Sequence, residues 1–308
     1  MSADNIGTRR KNNMTNIISC SNLTHYYGKK LIYKDLSFEV AEGSILGLLG
    51  KNGTGKTTTI NILNGFIKPK SGVCKLLGED IRTMRPETRR EIGMLLEGHV
   101  QYPFMTIAQL EKFYSSFYPK WNRGIYYELL EQLKVAPTQK ISSMSCGQRS
   151  QVVLGLIMAQ NPKLLILDDF SLGLDPGYRR LFVDYLRDYA KRDNKTVFLT
   201  SHIIQDMERL IDDCIILDYG GIRLHSPVND IMKQYRHCSF TLLNDADLSK
   251  CSELLYPLVK ERKVECGVMN DEETIRKSMD KAGINYEGLK MESATSLEDA
   301  FIGITGKY

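Results

Sequence analysis

"GKNGTGKT", Gly50–Thr57, is the stretch on which the fold turns. It fits the pattern G-x-x-x-x-G-K-[ST] at every fixed position. "SILGLLG" (Ser44–Gly50) leads into it and is apolar enough to read as a buried strand. "TTTINILNGF" (Thr57–Phe66) leads out and reads as a helix. A strand, a Gly-rich turn and a helix in that order make a cradle for phosphate. The glycines let backbone N–H groups wrap an anion, and the helix N-terminus adds its positive end. The candidate nucleotide-binding residues are therefore Gly50, Lys51, Asn52, Gly53, Thr54, Gly55, Lys56, Thr57 and Thr58. Lys56 is expected to reach the β- and γ-phosphates, and the Thr57 hydroxyl to ligate Mg²⁺. No NKxD-type guanine reader follows the loop, which favours ATP over GTP.

Downstream, "LLILDDFSLGLDP" (Leu164–Pro176) ends an apolar run in two adjacent carboxylates, Asp168 and Asp169. An acid at such a strand end is where a P-loop ATPase holds Mg²⁺, so Asp168 is a candidate metal ligand. Between loop and acids, "SSMSCGQRS" sets Ser145, Gly147 and Gln148 just before a helical stretch. That turn reads either as a second anion site or as an ordinary N-cap. Asp175 and Pro176 suit the N-cap and first position of a helix running to about Asn194. Its apolar face is Leu181, Phe182, Tyr185, Leu186 and Tyr189.

Strands and helices alternate through most of the 308 residues. "LSFEV", "SGVCKLLGEDI", "IGMLLE", "KLLILD" and "TVFLTSH" read as strands, and "CIILDYGGIRLHS" as a hairpin. Residues from about 100 to 160 look mostly helical, with Ile107, Leu110, Phe113 and Tyr114 at helical spacing, and likewise Val152, Leu156 and Ile157. After about residue 230 the pattern weakens into a small α+β tail. A net charge of +4 is too small to argue for nucleic acid or an anionic membrane surface. Seven cysteines, an odd count without CxxC spacing, speak against a disulfide framework or a zinc site and suit a reducing compartment. No apolar run approaches the roughly 20 residues that span a bilayer, so any membrane role needs a partner chain. "MSADNIGTRRKNN", at the amino terminus, is polar and reads as a frayed tail.

Taken together, in order, these motifs resemble an ATP-binding cassette (ABC) transporter nucleotide-binding subunit over about residues 17–227. The implied fold is α/β: a P-loop NTPase ABC-type ATPase domain with an antiparallel β subdomain, a helical subdomain and a small C-terminal α+β appendage. The implied bounds are 1–14 for the tail, 15–230 for the cassette (helical subdomain about 98–160) and 231–308 for the appendage. Tyr27, in "HYYGKK", stands where the family stacks an aromatic on adenine. Gly50–Thr57 is its Walker A loop and "LLILD" its Walker B strand. "MSCGQ" matches the signature LSGGQ at Ser145, Gly147 and Gln148, departing at Met144 and Cys146. "LGLD", ending at Asp175, matches the D-loop, and His202 matches the switch histidine.

Two further departures touch the chemistry. The family usually has Glu after the Walker B acid, where it polarises the attacking water, and here that position is Asp169. It usually has Gln where this chain has Glu97, a contact to Mg²⁺ and water. Asp169, His202 and Glu97 are thus the catalytic candidates, and Thr57, Asp168 and Glu97 the Mg²⁺ candidates. Losing one methylene withdraws the carboxylate by about 1.5 Å at most, and about 1 Å of misplacement can cost on the order of a hundredfold in rate. Full activity, slow turnover and a binding-only regulatory site therefore all stay open.

The resemblance implies the ATPase subunit of a membrane transporter, with a non-transport cassette ATPase, in DNA repair or translation, as the alternative; the long coiled-coil insertions of repair members and the paired cassettes of translation members are not seen in the sequence. It also implies ATP and Mg²⁺ as ligands, a second nucleotide-binding subunit (the same chain or a relative), and an integral membrane permease as partners. The signature residues would act in trans. The expected location is cytoplasmic, peripheral at the inner face of the membrane. "SATSLEDAFIGITGKY" resembles the carboxy-terminal tail of cassettes serving bacterial exporters, which points to export. The aromatics of "FYSSFYPKWN", with the chain's one tryptophan, Trp121, fit either core packing or a docking surface for the permease.

Overall fold

A computed structural model of the chain describes residues 15–95, 102–132, 134–170 and 174–306. The expected frayed tail, Glu97 and the first two residues of "LGLD", Leu172 and Gly173, lie outside the described residues.

Three sheets carry the fold. The first is four-stranded and antiparallel, in the order β2 (Lys30–Ala41), β1 (Asn16–Tyr27), β4 (Ser71–Leu76), β5 (Glu79–Asp80). The expected strand "SGVCKLLGEDI" is broken by a turn in which Leu77 and Gly78 both have positive φ.

The second sheet has six strands, in the order β10 (Gly221–Pro227), β9 (Asp213–Asp218), β3 (Ile45–Gly50), β8 (Thr196–Leu199), β7 (Leu164–Leu167), β6 (Ile92–Leu95). Its four pairings from β9 to β6 are parallel, and β10 closes one edge as the antiparallel arm of the expected hairpin. A parallel sheet must be covered on both faces, and the residue alternation shows it. On β3, Ile45 and Leu49 join one core while Leu46 and Leu48 join the other. On β7, Leu165 and Leu167 face the first core, and Leu164 and Ile166 the second. Phe38 of β2 stacks on Phe198 of β8, ring centroids 5.8 Å apart, and ties the antiparallel sheet to the parallel one.

Helix α1 (Lys56–Leu63) follows β3, and the short α2 (Pro86–Arg89) precedes β6. Between β6 and β7 lie α3 (Ile107–Ser115), α4 (Arg123–Gln132) and α5 (Cys146–Ala159). Ile107, Leu110, Val152, Leu156 and Ile157 are buried as their spacing predicts. Phe113 departs from that face: it is part-exposed and contacts Tyr102, Tyr114 and Phe117. Helix α6 (Pro176–Arg192) starts at its expected cap: Asp175 Oδ1 accepts from the N–H groups of Gly177 and Tyr178, at 3.0 and 3.1 Å. Helix α7 (Ile204–Leu210) follows β8, and α8 (Val228–Gln234) follows β10.

The third sheet is antiparallel, in the order β12 (Leu255–Lys260), β13 (Lys263–Val268), β11 (Arg236–Leu242), β14 (Tyr286–Ser293). Helix α9 (Glu272–Lys281) buries Ile275 and Met279 in its small core. Helix α10 (Leu297–Thr305), the last among the described residues, touches β12 and β13 as well as α7 and α8. Its Leu297, Ala300, Phe301 and Ile304 lie in the large core that also holds Ile45, Leu49, Met207 and Leu210.

Candidate functional site

Strands β3, β8 and β7 are neighbours and parallel, so the segments leaving their carboxyl ends meet along one edge. Open α/β sheets place their ligand sites there. The Gly-rich loop leaves β3, Asp168 and Asp169 leave β7, and His202 lies just past β8.

Backbone sterics shape the loop. Gly53 and Gly55 have φ of 81° and 105°, in the left-handed region that favours glycine. Gly55 also admits no side chain: a Cβ there would come within 2.9 Å of the Tyr33 ring. Helix α1 begins directly after it with no side-chain cap, so its first N–H groups keep their capacity for an anion. The Lys56 ammonium folds back over the loop, donating to the Gly50 carbonyl at 2.6 Å and the Lys51 carbonyl at 3.2 Å. Burial pushes its pKa down, while the Asp169 and Asp168 charges pull it back up. Thr57 is exposed at the second position of α1, and Thr58 Oγ1 lies 3.5 Å from the Tyr27 hydroxyl. Tyr27 is half-exposed, and its ring meets that of His25 in a T-shaped contact, centroids 4.9 Å apart. Lys51 departs from its expected direction: its ammonium donates to the Thr305 carbonyl at 2.8 Å.

The two acids are buried, 4% and 9% exposed. Thr200, which the sequence reading passed over, joins them. Its hydroxyl donates to Asp168 Oδ1 at 2.7 Å and accepts the Asp169 N–H at 3.0 Å. Asp169 itself has φ of 44°. Asp and Asn enter the left-handed region more readily than longer side chains do, which supplies a local reason for the shorter acid. Its Oδ1 accepts the His202 N–H at 3.2 Å, and its Oδ2 lies 3.4 Å from His202 Nε2. The imidazole is more than half exposed, so it can turn toward a ligand. Thr57 and Asp168 are the hard oxygen donors that Mg²⁺ takes, and they fit that ion.

Ser145, Gly147 and Gln148 do not enter this cluster. Ser145 and Gln148 form a capping box on α5, with bonds of 3.1 and 3.2 Å between each backbone N–H and the other's side chain. Ser145 is exposed and Gly147 buried. The N-cap reading is therefore realised, and both side chains sit at an exposed helix start.

Sheet order, loop and acids define a P-loop NTPase, and comparison with known proteins narrows the class. The model of the ABC transporter family matches residues 33–171. An uncharacterized ABC transporter ATP-binding protein, YdbJ of Bacillus subtilis (strain 168), is 32% identical over 209 residues, covering 67% of this chain and 68% of its own. The Nod factor export ATP-binding protein I of Burkholderia orbicola (strain AU 1054) is 27% identical over 300 residues, covering 94% of this chain and 97% of its own. A solved structure of the ATP-binding subunit of an ABC transporter, 25% identical, superimposes with a TM-score of 0.62 over 71% of this chain and 92% of its own. The chain belongs to the ABC transporter family, as an ATP-binding subunit.

Proposed function

We propose that this subunit binds and hydrolyses ATP to power a membrane exporter, through closure of two cassettes on nucleotide. The observation that carries the reading is the convergence of Lys56, Asp168, Asp169 and His202 at the carboxyl ends of β3, β7 and β8. On this reading the loop N–H groups and Lys56 hold the phosphates, and Tyr27 stacks on the base. Thr57, Asp168 and Glu97 would hold Mg²⁺, which when bound neutralises charge on the β- and γ-phosphate oxygens. Asp169 orients the attacking water, and His202 faces the γ-phosphate. Ser145, Gly147 and Gln148 present the start of α5 to the partner's nucleotide, so each γ-phosphate is clamped between two helix N-termini. Losing that phosphate removes the charge that holds the clamp, and the dimer opens.

Export is supported by the Nod factor export relatives, whose similarity runs through the C-terminal region as well as the cassette. No helix of the described residues is long and apolar enough to cross a membrane, which fits a subunit docked on a permease at the inner face. The aromatic segment divides in two. Trp121 turns inward, its indole N–H on Glu111 at 2.9 Å. Tyr102, Phe104, Phe113 and Phe117 form an exposed cluster, with Phe104 68% exposed, and we assign the permease contact to it. We take residues 15–230 as the cassette and 231–308 as an appendage that lends α10 to the cassette core.

A second reading is a cassette that binds ATP with little turnover. The engagement of the short Asp169 carboxylate by both His202 groups favours it. Phosphate release by the purified chain, with and without its permease, decides between them. Lys56→Ala should abolish binding or turnover, and unchanged hydrolysis in that variant would remove the site assignment.

A further inference from the structure

We infer that α10 is a brace for the nucleotide loop and that Lys51 is its joint, a positioning residue rather than a phosphate ligand. The inference rests on the site reading above. Lys51 and Thr305 are both buried, 254 positions apart, and meet through the Lys51 ammonium and the Thr305 carbonyl. That carbonyl is at the carboxyl end of α10, where the helix dipole is negative and a cation is most favourable. The Lys51 backbone is also the knot of the loop. Its carbonyl accepts from Thr54 N–H at 3.3 Å, Thr54 Oγ1 at 2.8 Å and the Lys56 ammonium at 3.2 Å. Fixing the side chain of Lys51 therefore fixes the carbonyl on which Lys56 rests.

The other end of α10 holds the segment after His202. The Leu297 N–H donates to Glu208 Oε2 at 2.9 Å, and Gln205 Nε2 lies 3.3 Å from Glu298 Oε2, both partners being on α7. One rigid helix thus spans from the histidine side of the site to the phosphate loop. A second strut runs beside it. Gly306 packs so closely on Tyr256 that a Cβ would come within 2.7 Å of the ring. The Tyr256 hydroxyl lies 3.1 Å from Asp218 Oδ2, and the neighbouring Tyr219 hydroxyl 3.4 Å from the Asn52 carbonyl of the loop. By this route anything that shifts the third sheet shifts the loop, and the appendage gains a direct line to ATP affinity.

The test uses the full chain and a fluorescent ATP analogue. Lys51→Met removes the joint from the loop side. Gly303→Ala displaces α10 without touching the loop, because a Cβ at Gly303 would sit 1.7 Å from the Tyr235 hydroxyl. Each should weaken ATP binding about tenfold, the scale of one charge-assisted hydrogen bond. The double variant should also lose about tenfold, since both remove one contact. A double variant weakened about a hundredfold, or a Gly303→Ala chain with unchanged affinity, overturns the brace. Hydrogen exchange of Lys51→Met gives a second arm: the amides of α10 should exchange about tenfold faster, and unchanged exchange overturns the inference. If the unmodified chain does not bind the analogue at all, the nucleotide-site reading fails. Binding by that chain with independent effects of the two variants defeats the brace alone.

Discussion

Replacing Thr200 by Val tests whether the two acids depend on the hydroxyl between them. The shapes match, so the change removes one oxygen's bonding and little volume. The hydroxyl donates to Asp168 at 2.7 Å and accepts the Asp169 N–H at 3.0 Å, and all three residues are buried. A hydrogen bond to a charged group contributes about 1.5–3 kcal/mol, and a stranded buried N–H costs about 1–3 kcal/mol. Allowing for relaxation of the loop, the loss should be about 3 kcal/mol. For a chain of this size that lowers Tm by about 5 °C in a calorimetric scan. The second effect is on rate. The Asp169 N–H bond helps hold that residue at its positive φ, and releasing it lets the carboxylate drift. A drift of about 1 Å corresponds to roughly a hundredfold in turnover. Steady-state phosphate release should show that fall while ATP affinity changes less than about threefold, because Lys56 and the loop are untouched. Thr200→Ser should restore both. A Val variant that melts within about 1 °C of the parent and turns over within about twofold would refute the reasoning.

Three other outcomes are expected. Asp169→Asn keeps a residue that tolerates the left-handed conformation and removes the charge, so hydrolysis should fall at least about a hundredfold while light scattering shows an ATP-held dimer; a monomer with ATP bound would count against the closure model. Tyr27→Ala removes the half-exposed ring and should raise the KM for ATP about tenfold with kcat nearly unchanged, and an unaltered KM would show that the base binds elsewhere. Burial lowers the His25 pKa from its ordinary 6.5, so between that value and the lower folded one the unfolded chain binds more protons. Stability contributed by neutral His25 is therefore present above pH 6.5 and is lost as pH falls through and below it. His25→Phe should flatten that part of a denaturation series, and an unchanged slope would mean that another group is responsible.

The parts of the site written in adjacent residues were legible. Gly50–Thr57, the Asp168 strand end and the Asp175–Pro176 cap each carry their reason within a few positions, because strand, turn and helix rules are local. The parts made by contacts across the chain were not. Thr200 is 31 and 32 positions from the acids it joins, and a threonine near a strand end gives no sign of that role. Lys51 reads as a loop cation until the fold brings Thr305 beneath it. The apolar spacing of α3 finds Ile107 and Leu110 correctly, yet it cannot separate an inward aromatic from an outward one, so Phe113 reads as core and stands in the exposed cluster. The short acid at 169 looked like a deficit by length alone. Its backbone conformation shows a second constraint that a one-dimensional reading does not contain.

The contact between Lys51 and Thr305 also sets a timetable for synthesis. The loop is made early, but its joint needs a residue 254 positions later. At about 5–20 residues per second, the interval is roughly 13 to 50 s. Throughout it the nascent cassette holds its phosphate loop without the helix that braces it. On the brace inference, the loop that follows β3 waits for α10, the last helix among the described residues.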